Sequence, residues 1–304
     1  MSRGTVTIIG SYNAGLFCKA DRLPDVGETL IGTKYWEGGG GKGSNQAVAA
    51  SLMGASTCFI ARVGDDRYGA QALEMYRRYG ISADFIRVDP SAHSGIGAIF
   101  IDKNGKNMII VVPGANFLLS EEDVGRAEER IASSSILGCQ LENRLEVVGY
   151  ALRRAHELGV KTLLDPAPAV KLPDDLYPSI NYIKPNEVEA RILTGIPVTG
   201  VPGAIEAGRW LVDRGVGVAI VTLGERGAVV VTPDSSELFE APRVDAIDTT
   251  GAGDVFSGAL MAALADSKPL AEAVTFASHA AALSVTRLGV IEAIPSLEEV
   301  LAFQ

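Results

Sequence analysis

The segment Asp248-Thr-Thr-Gly-Ala-Gly-Asp254 carries the most specific chemistry in the sequence. Two acids bracket a run of small and hydroxylic residues. Gly251, Ala252 and Gly253 leave backbone N–H groups unobstructed where a helix expected over residues 255–265 begins. Free N–H groups at a helix start form an anion hole suited to a phosphoryl group in transfer. Asp254 stands in the first helical turn. Transfer to a hydroxyl needs a group that takes the proton as charge develops, and a carboxylate can do this. The plainer reading is that Asp254 only complements the helix dipole. Asp248 and the small residues between the two acids favour the chemical reading.

A second segment, Trp36-Glu-Gly-Gly-Gly-Gly-Lys-Gly-Ser-Asn-Gln46, precedes a small-residue helix expected over 47–53. Consecutive glycines let backbone N–H groups approach a ligand, and a helix start adds positive potential. Lys42, Asn45 and Gln46 supply the directional donors and amide acceptors that a polyhydroxyl ligand needs. A purely structural glycine turn is the alternative. Gly38, Gly40 and Gly43 satisfy G-x-G-x-x-G, but a dinucleotide fingerprint follows the first core strand, which here ends at Ile9-Gly10-Ser11. A P-loop needs Ser or Thr directly after its Lys, and Lys42 is followed by Gly43. An NAD-dependent oxidoreductase is the competing class that the glycine pattern leaves open.

The elements that must position these segments follow a repeated grammar. A helical stretch ends in Gly and a β-branched run follows, at Gly54, Gly80, Gly159 and Gly215. Glycine after a helix takes left-handed dihedrals at little cost, and the chain then turns into a strand. Strands expected over 6–9, 57–61, 136–140, 160–164, 182–184 and 218–222 are near-continuous apolar runs, the mark of strands covered on both faces. Alternating helices and buried strands imply an α/β fold with a mostly parallel sheet, binding ligands beyond the carboxyl ends of its strands. Residues 14–36 and 94–113 break the grammar, reading as short strands without an intervening helix. Asp102-Lys-Asn-Gly105 is a hairpin-type turn between two of them. These stretches form either an edge hairpin or a small β-lid over a site, and their place beside the glycine-rich segment favours the lid.

Composition narrows the class of protein. The chain has 304 residues, 47% apolar and 21% charged, enough for one large core. A net charge of −10 without a Lys/Arg-rich stretch argues against nucleic acid as partner. An acidic protein that binds a nucleotide needs local donors instead. The cysteines, Cys18, Cys58 and Cys139, match no metal spacing. Cys58 and Cys139 read as buried thiols, and the odd count fits a reducing cytoplasm. Residues 1–10 read as a first strand rather than a signal peptide. No apolar run is long enough for a membrane span. His93, His156 and His279 share no metal spacing; His156 reads as a surface residue, and His279 as packing or as a contact to a bound ligand.

The chain resembles the ribokinase-like (PfkB-type) carbohydrate kinase family over nearly its whole length. One signature runs from Gly40-Gly-Lys-Gly-Ser-Asn45 through Ala47 and Gly54 to Gly64, and a second runs from Asp248 to Met261. Ser11-Tyr-Asn13, Pro185-Asn-Glu-Val-Glu189 and Thr222-Leu-Gly-Glu-Arg-Gly227 match further family motifs. The resemblance implies a three-layer αβα sandwich with a small β-sheet lid, as one domain over 1–304. It implies an ATP-dependent sugar kinase with Asp254 as catalytic base and Gly251, Ala252 and Gly253 as anion hole. Asn13, Gly41, Lys42, Asn45 and Glu142 would hold the sugar together with Asp254. Asn186, Thr222, Gly224, Gly227, Gly253 and Ser278 would line the nucleotide site. Asn186 and Glu189 form the N-x-x-E that orders Mg²⁺ through water; a polar helix start is their plainer reading. A monovalent cation, K⁺, is implied near Asp248, Thr250, Ser284, Arg287 and Gly289, several acting through backbone carbonyls. A homodimer through the lid strands is implied as well. A non-catalytic sugar-binding protein of the same fold is a further alternative, set against the intact Asp254 and its glycines.

One departure concerns the acceptor. The family's first sugar motif usually reads Asn-x-Asp, and here it reads Asn13-Ala14-Gly15. Gly15 cannot accept hydrogen bonds from sugar hydroxyls. A lost charge-assisted hydrogen bond is worth about 1.5–3 kcal/mol. Ribose is the first acceptor to expect, with another pentose, a modified sugar or a nucleoside as alternatives. Glu37 or Asp21 could also replace the missing acid from the lid.

Overall fold

Two sheets account for the strands of the computed structural model, which describes residues 4–303. Residues 1–3 of the segment expected to open the first strand, and residue 304, lie outside the described residues. In chain order the first strands are β1 (Thr5–Ile9), β2 (Asn13–Lys19), β3 (Lys34–Gly40), β4 (Ser56–Gly64), β5 (Ser82–Asp89), β6 (Gly95–Ile101) and β7 (Asn107–Val112). They continue with β8 (Ile136–Cys139), β9 (Lys161–Leu164), β10 (Tyr182–Ile183), β11 (Val218–Thr222), β12 (Ala228–Val231) and β13 (Ser236–Phe239). The helices are α1 (Lys42–Leu52), α2 (Arg67–Arg78), α3 (Glu121–Arg126), α4 (Glu128–Ala132) and α5 (Leu145–Glu157). After these come α6 (Glu187–Thr194), α7 (Val201–Val212), α8 (Ala252–Ala265), α9 (Leu270–Ser284) and α10 (Leu297–Phe303).

The larger sheet runs β13-β12-β11-β10-β9-β8-β1-β4-β5, parallel from β11 to β5 with β12 and β13 antiparallel at one edge. Strand alternation divides its side chains between two cores. Val6, Ile8 and Phe59 pack with α1, α8 and α9 on one face. Ile9, Ile60 and Leu137 pack with α5 and α7 on the other. The result is the expected three-layer αβα arrangement. The cap glycines also behave as expected: Gly54, Gly80, Gly159 and Gly215 take φ of 93, 66, 74 and 104°. Cys58 and Cys139 are buried, and burial pushes the Cys139 thiol up to about 12.

The smaller sheet, β3-β2-β6-β7, is separate and collects both stretches that broke the helix–strand grammar. Its β6–β7 hairpin turns at residues 102–105, where Asp102 Oδ1 accepts from the N–H groups of Asn104 and Lys106. The first stretch extends further than 14–36. Gly38, Gly39 and Gly40 read as loop by composition, but pair in register with Gly15, Ala14 and Asn13. Likewise α1 starts at Lys42 rather than at residue 47, because Gly41, with φ of 93°, turns the chain directly into the helix.

Backbone contact fixes α1 against its neighbours. A Cβ on Gly43 would lie 2.6 Å from Gly10 Cα and 2.7 Å from Ser11 N. A Cβ on Gly258 of α8 would lie 2.5 Å from Ala49 Cβ and 2.6 Å from Gln46 O. Neither neighbour can rotate away, since each is main chain or a first side-chain carbon. Gly43→Ala is therefore expected to destabilise the fold by about 1–3 kcal/mol, the usual range for overpacking. Urea denaturation reads this directly, and an unchanged midpoint would show that β1 and α1 can separate freely.

Candidate active site

The carboxyl ends of the parallel strands lie along one edge of the larger sheet, beside a long cleft. Ser11 follows β1, Glu142 follows β8, Asp165 follows β9, Lys184 follows β10 and Thr222 closes β11. Open parallel sheets bind ligands at this edge. The cleft has a volume of about 1270 Å³, and Lys42, Asp165, Lys184, Glu189, Asp254 and Ser278 are among its walls.

Beside Lys42, Glu142 Oε2 gathers donors from the chain that leads into both sheets. It accepts from the Lys42 N–H at 2.8 Å, from the Ser11 hydroxyl, and more distantly from Asn13 Nδ2 at 3.4 Å. Asn13 Oδ1 in turn accepts from Asn116 Nδ2 at 2.9 Å. Gly41 makes this convergence possible: a Cβ there would lie 2.7 Å from Ser11 O and 2.8 Å from Asn13 N. The structure thus brings together Asn13, Gly41, Lys42 and Glu142, which the family resemblance implies as acceptor residues.

Asp254 is buried in the first turn of α8 and is held by α1. Asn45 Nδ2 donates to Asp254 Oδ2 at 2.8 Å, and Gln46 Nε2 donates to Asp254 Oδ1 at 3.2 Å. A carboxylate has about four acceptor positions, so a hydroxyl proton can still be received. Asn45 Oδ1 is buried without a protein partner. Gly251 caps α8 with φ of 80°, and a Cβ there would lie 2.8 Å from Val290 Cγ1. Among the described residues the N–H groups of Gly251 and Gly253 have no acceptor, while Ala252 N–H reaches the Thr249 carbonyl at 3.3 Å. The expected trio of amides is therefore two open donors and one weakly engaged donor. The charge of Asp254, with those of Asp165, Glu142 and Glu189, raises the Lys42 ammonium above its ordinary range, against the opposing effect of burial.

Behind Asp254 lies a buried group that the sequence did not single out. Asp165 Oδ2 pairs with Lys184 Nζ at 2.9 Å and accepts from Gln46 Nε2 at 2.8 Å and Ser257 Oγ at 2.9 Å. Gln46 therefore donates to both Asp165 and Asp254, and its own Oε1 accepts from Gln140 Nε2 at 2.7 Å. Lys184 also donates to the Gly253 carbonyl at 3.1 Å, bracing the start of α8. The signal was present: both residues directly follow short apolar strands, at the edge where such sheets place polar groups.

The far side of the cleft is built for a larger polar ligand. Asn186 and Glu189 form a reciprocal cap of α6: Asn186 Oδ1 accepts from Glu189 N–H at 2.9 Å, and Glu189 Oε2 from Asn186 N–H at 2.8 Å. The plainer reading of this pair is thus realised, and it leaves one Glu189 oxygen free. Burial, and then the charge of Asp165, raise the Glu189 carboxyl above the usual range. Asp165 Oδ1 is buried and unpartnered. Two carboxylates that repel one another, with oxygens to spare, suit a divalent cation held partly by water. Among the described residues no three His, Cys, Asp or Glu side chains group closely enough to hold a metal unaided. Asn186 bridges to Thr222, which together with Gly224, Gly227 and Ser278 lines the cleft. Ser278 Oγ is buried without a partner.

Asp248 organises the loop before α8. Its Oδ1 accepts from Thr250 N–H at 3.0 Å and its Oδ2 from Gly289 N–H at 3.2 Å. The side chains of Ser284 and Arg287 turn elsewhere, to Ala281 O and to Glu299 on α10. Only main-chain groups of those two could face a cation here. Three further expectations are corrected or decided. Glu37 pairs with Arg67 and lies opposite Leu16, on the other face of the sheet from Gly15, while Asp21 is exposed past the end of β2; neither replaces the missing acid. His279 packs on Phe303 and bonds Thr275 O, away from the cleft. The G-x-G-x-x-G glycines span the end of β3 and the start of α1 rather than following a core strand, so the dinucleotide reading falls.

The family model for pfkB family carbohydrate kinase matches residues 4–297. The chain belongs to this family. A ribokinase of Haemophilus influenzae is 40% identical over 301 residues, covering 99% of this chain and 98% of that protein. A deoxyribokinase of Salmonella typhi is 37% identical, covering 97% and 96%. The structure of Arabidopsis thaliana ribokinase complexed with ribose and ATP superposes with a TM-score of 0.92 at 28% identity, covering 99% of each chain. The chain is thus a phosphotransferase of the carbohydrate kinase type.

The buried pair of Asp165 and Lys184 has a measurable consequence. Asp165→Asn keeps the shape but leaves a buried ammonium without its counter-charge. The expected loss is about 3–5 kcal/mol of folding stability, read by urea denaturation. A loss below about 1 kcal/mol would show that Lys184 reaches solvent.

Proposed function

We propose that this kinase transfers the γ-phosphate of ATP to a hydroxyl of a pentose, with ribose as the first acceptor to test. The observation that carries this reading is the position of Asp254. It is clamped by Asn45 and Gln46 between the Asn13, Lys42 and Glu142 cluster on one side and the long cleft on the other. The ribokinases among its relatives support the choice of acceptor and donor.

In this reading Asn13, Asn45 and Glu142 orient the sugar so that its hydroxyl meets Asp254. Asp254 accepts the hydroxyl proton as the oxygen attacks the γ-phosphorus, and ADP leaves as the bond from that phosphorus to the β,γ-bridging oxygen breaks. Charge on the transferring group is met by the N–H groups of Gly251 and Gly253, the α8 dipole and Lys42. Lys42, kept protonated by its acidic surroundings, is a fixed positive charge rather than a proton donor. Asn186, Thr222, Gly224, Gly227 and Ser278 hold the nucleotide. Glu189 and the free oxygen of Asp165 would hold Mg²⁺ through its waters, and the ion when bound neutralises phosphate charge. Main-chain groups around Asp248, Thr250, Ser284, Arg287 and Gly289 would hold K⁺ beside the α8 start.

The same reading takes the chain as one domain of 304 residues acting in the cytoplasm, with the small sheet as a lid. No described helix is long and apolar enough to cross a membrane. On β7 Met108, Ile109, Ile110, Val111 and Val112 are all exposed, which supports a homodimer in which a second small sheet covers this strand.

Asp254→Asn is expected to lower kcat by at least about a hundredfold with ATP affinity little changed, since geometry survives and only proton acceptance is lost. Steady-state ADP release and nucleotide binding together check this, and near-normal turnover would refute the base. Exchanging K⁺ for Na⁺ or Cs⁺ is expected to lower activity. Equal rates in all three salts would remove the monovalent site.

A further inference from the structure

The inner face of the small sheet has an unusual composition. Strand alternation places Asn13, Gly15 and Phe17 of β2 on one face. Their partners there are Gly40, Gly38 and Trp36 on β3, and Gly95, Gly97 and Ile99 on β6. Asn13 identifies this as the face toward Glu142. Only the root of the opposite face meets the body of the protein: a Cβ on Gly39 would lie 2.9 Å from Met75 Sδ of α2, and Glu37 pairs with Arg67, whereas Tyr35 and Phe100 further out on that face are exposed.

Beyond Asn13 the inner face therefore offers glycines and then apolar side chains. The Phe17 ring leans back over the glycines. A Cβ on Gly15 would lie 2.7 Å from Phe17 Cε2, and one on Gly38 3.6 Å from the same atom. Ile99 does the same over Gly97, at 3.4 Å. Trp36 holds Phe17 in place: the two rings stack with centroids 5.0 Å apart and planes 2° from parallel. Gly15 is buried beneath this cover, while Phe17 and Trp36 remain half-exposed. The N–H and C=O groups of the strands are taken up by ladder pairing on both sides of β2. A sugar hydroxyl brought to this wall would lose water and find no replacement partner.

We propose that Phe17, stacked on Trp36 and seated over Gly15, sets acceptor selectivity by favouring a sugar whose lid-facing edge is apolar. Two kinds of acceptor share that chemistry. One has a deoxy carbon where ribose has a hydroxyl, and the other carries a planar or apolar aglycone that lies on the Phe17 ring. The inference rests on the kinase reading above and narrows its acceptor. An apolar pocket discriminates against an added hydroxyl by about tenfold to a hundredfold, not more.

The test uses the full chain with ATP and Mg²⁺. Acceptors are ribose, its 2-deoxy and 3-deoxy analogues, and a purine nucleoside, compared by kcat/KM from ADP release and by calorimetric binding without nucleotide. A deoxy analogue ahead of ribose by about tenfold assigns the wall to a deoxy carbon. The nucleoside ahead by a similar factor assigns it to an aglycone. Ribose equal to or ahead of all three overturns the proposal. The double variant Gly15→Asp/Phe17→Ala is expected to move the preference toward ribose by about tenfold. The single variant Phe17→Ser, which removes the ring without adding a charge, should shift it in the same direction. An unchanged order in both variants overturns the role given to Phe17. If none of the four acceptors raises ADP release, the proposed pentose acceptor falls alone, because the binding order still decides what the wall prefers.

Discussion

Everything at the reacting end depends on how closely α1 and α8 approach. Gly258 leaves no Cβ between the helices, and a methyl there would already overlap Ala49 and the Gln46 carbonyl. Ala47, Val48, Ala49 and Ala50 keep the facing surface low. At this separation the side chains of Asn45 and Gln46 reach Asp254 directly. A wider spacing would hand those amide bonds to water and leave the carboxylate free to rotate. The small-residue character of both helices is thus part of the chemistry, although none of those alanines touches the cleft.

The second organising effect is electrostatic. Asp254, Asp165, Glu142 and Glu189 crowd one edge of the sheet, with Lys42 and Lys184 as the cations among them. Each lysine is committed differently. Lys184 is closed off by Asp165 and the Gly253 carbonyl and serves as internal bracing. Lys42 makes no ion pair within 4.0 Å among the described residues, and its charge is sustained by several acids at longer range. One cation is therefore spent on architecture and the other is left facing the cleft. Buried pairs of the first kind add little net stability, but are costly to break.

The sequence was explicit about main-chain chemistry and silent about convergence. The Gly-terminated helices and apolar strands gave the layer order, because left-handed caps and two-sided burial each leave a local composition mark. The Asp248–Asp254 run and the residues around Lys42 were legible for the same reason, since glycine at a helix start has few other uses. Asp165 and Lys184 were missed because a single acid or lysine after a strand looks like any other loop residue. Their pairing joins the ends of β9 and β10, which a long connection with a 3-10 turn over Asp174–Ser179 separates in sequence, and no spacing encodes it. The three glycines before Lys42 misled in the opposite direction. Composition marks such a run as a loop, whereas pairing with β2 makes it a strand. Phe17 was also invisible as a site residue, since an aromatic in an alternating strand is ordinary until its neighbours prove to be glycines.

The row Gly38, Gly15 and Gly97 crosses three adjacent strands at one level of register. Below it the small sheet is anchored: Asn116 bonds both Tyr12 and Asn13, and Asp66 accepts from the Ser94 N–H and hydroxyl. Above it the side chains resume. Cross-strand side-chain pairs stabilise a sheet, and glycine in a strand interior weakens it. On this face the row is therefore a line without side-chain pairs of its own, and the Phe17 ring and the Ile99 side chain from the next level fill the space it leaves.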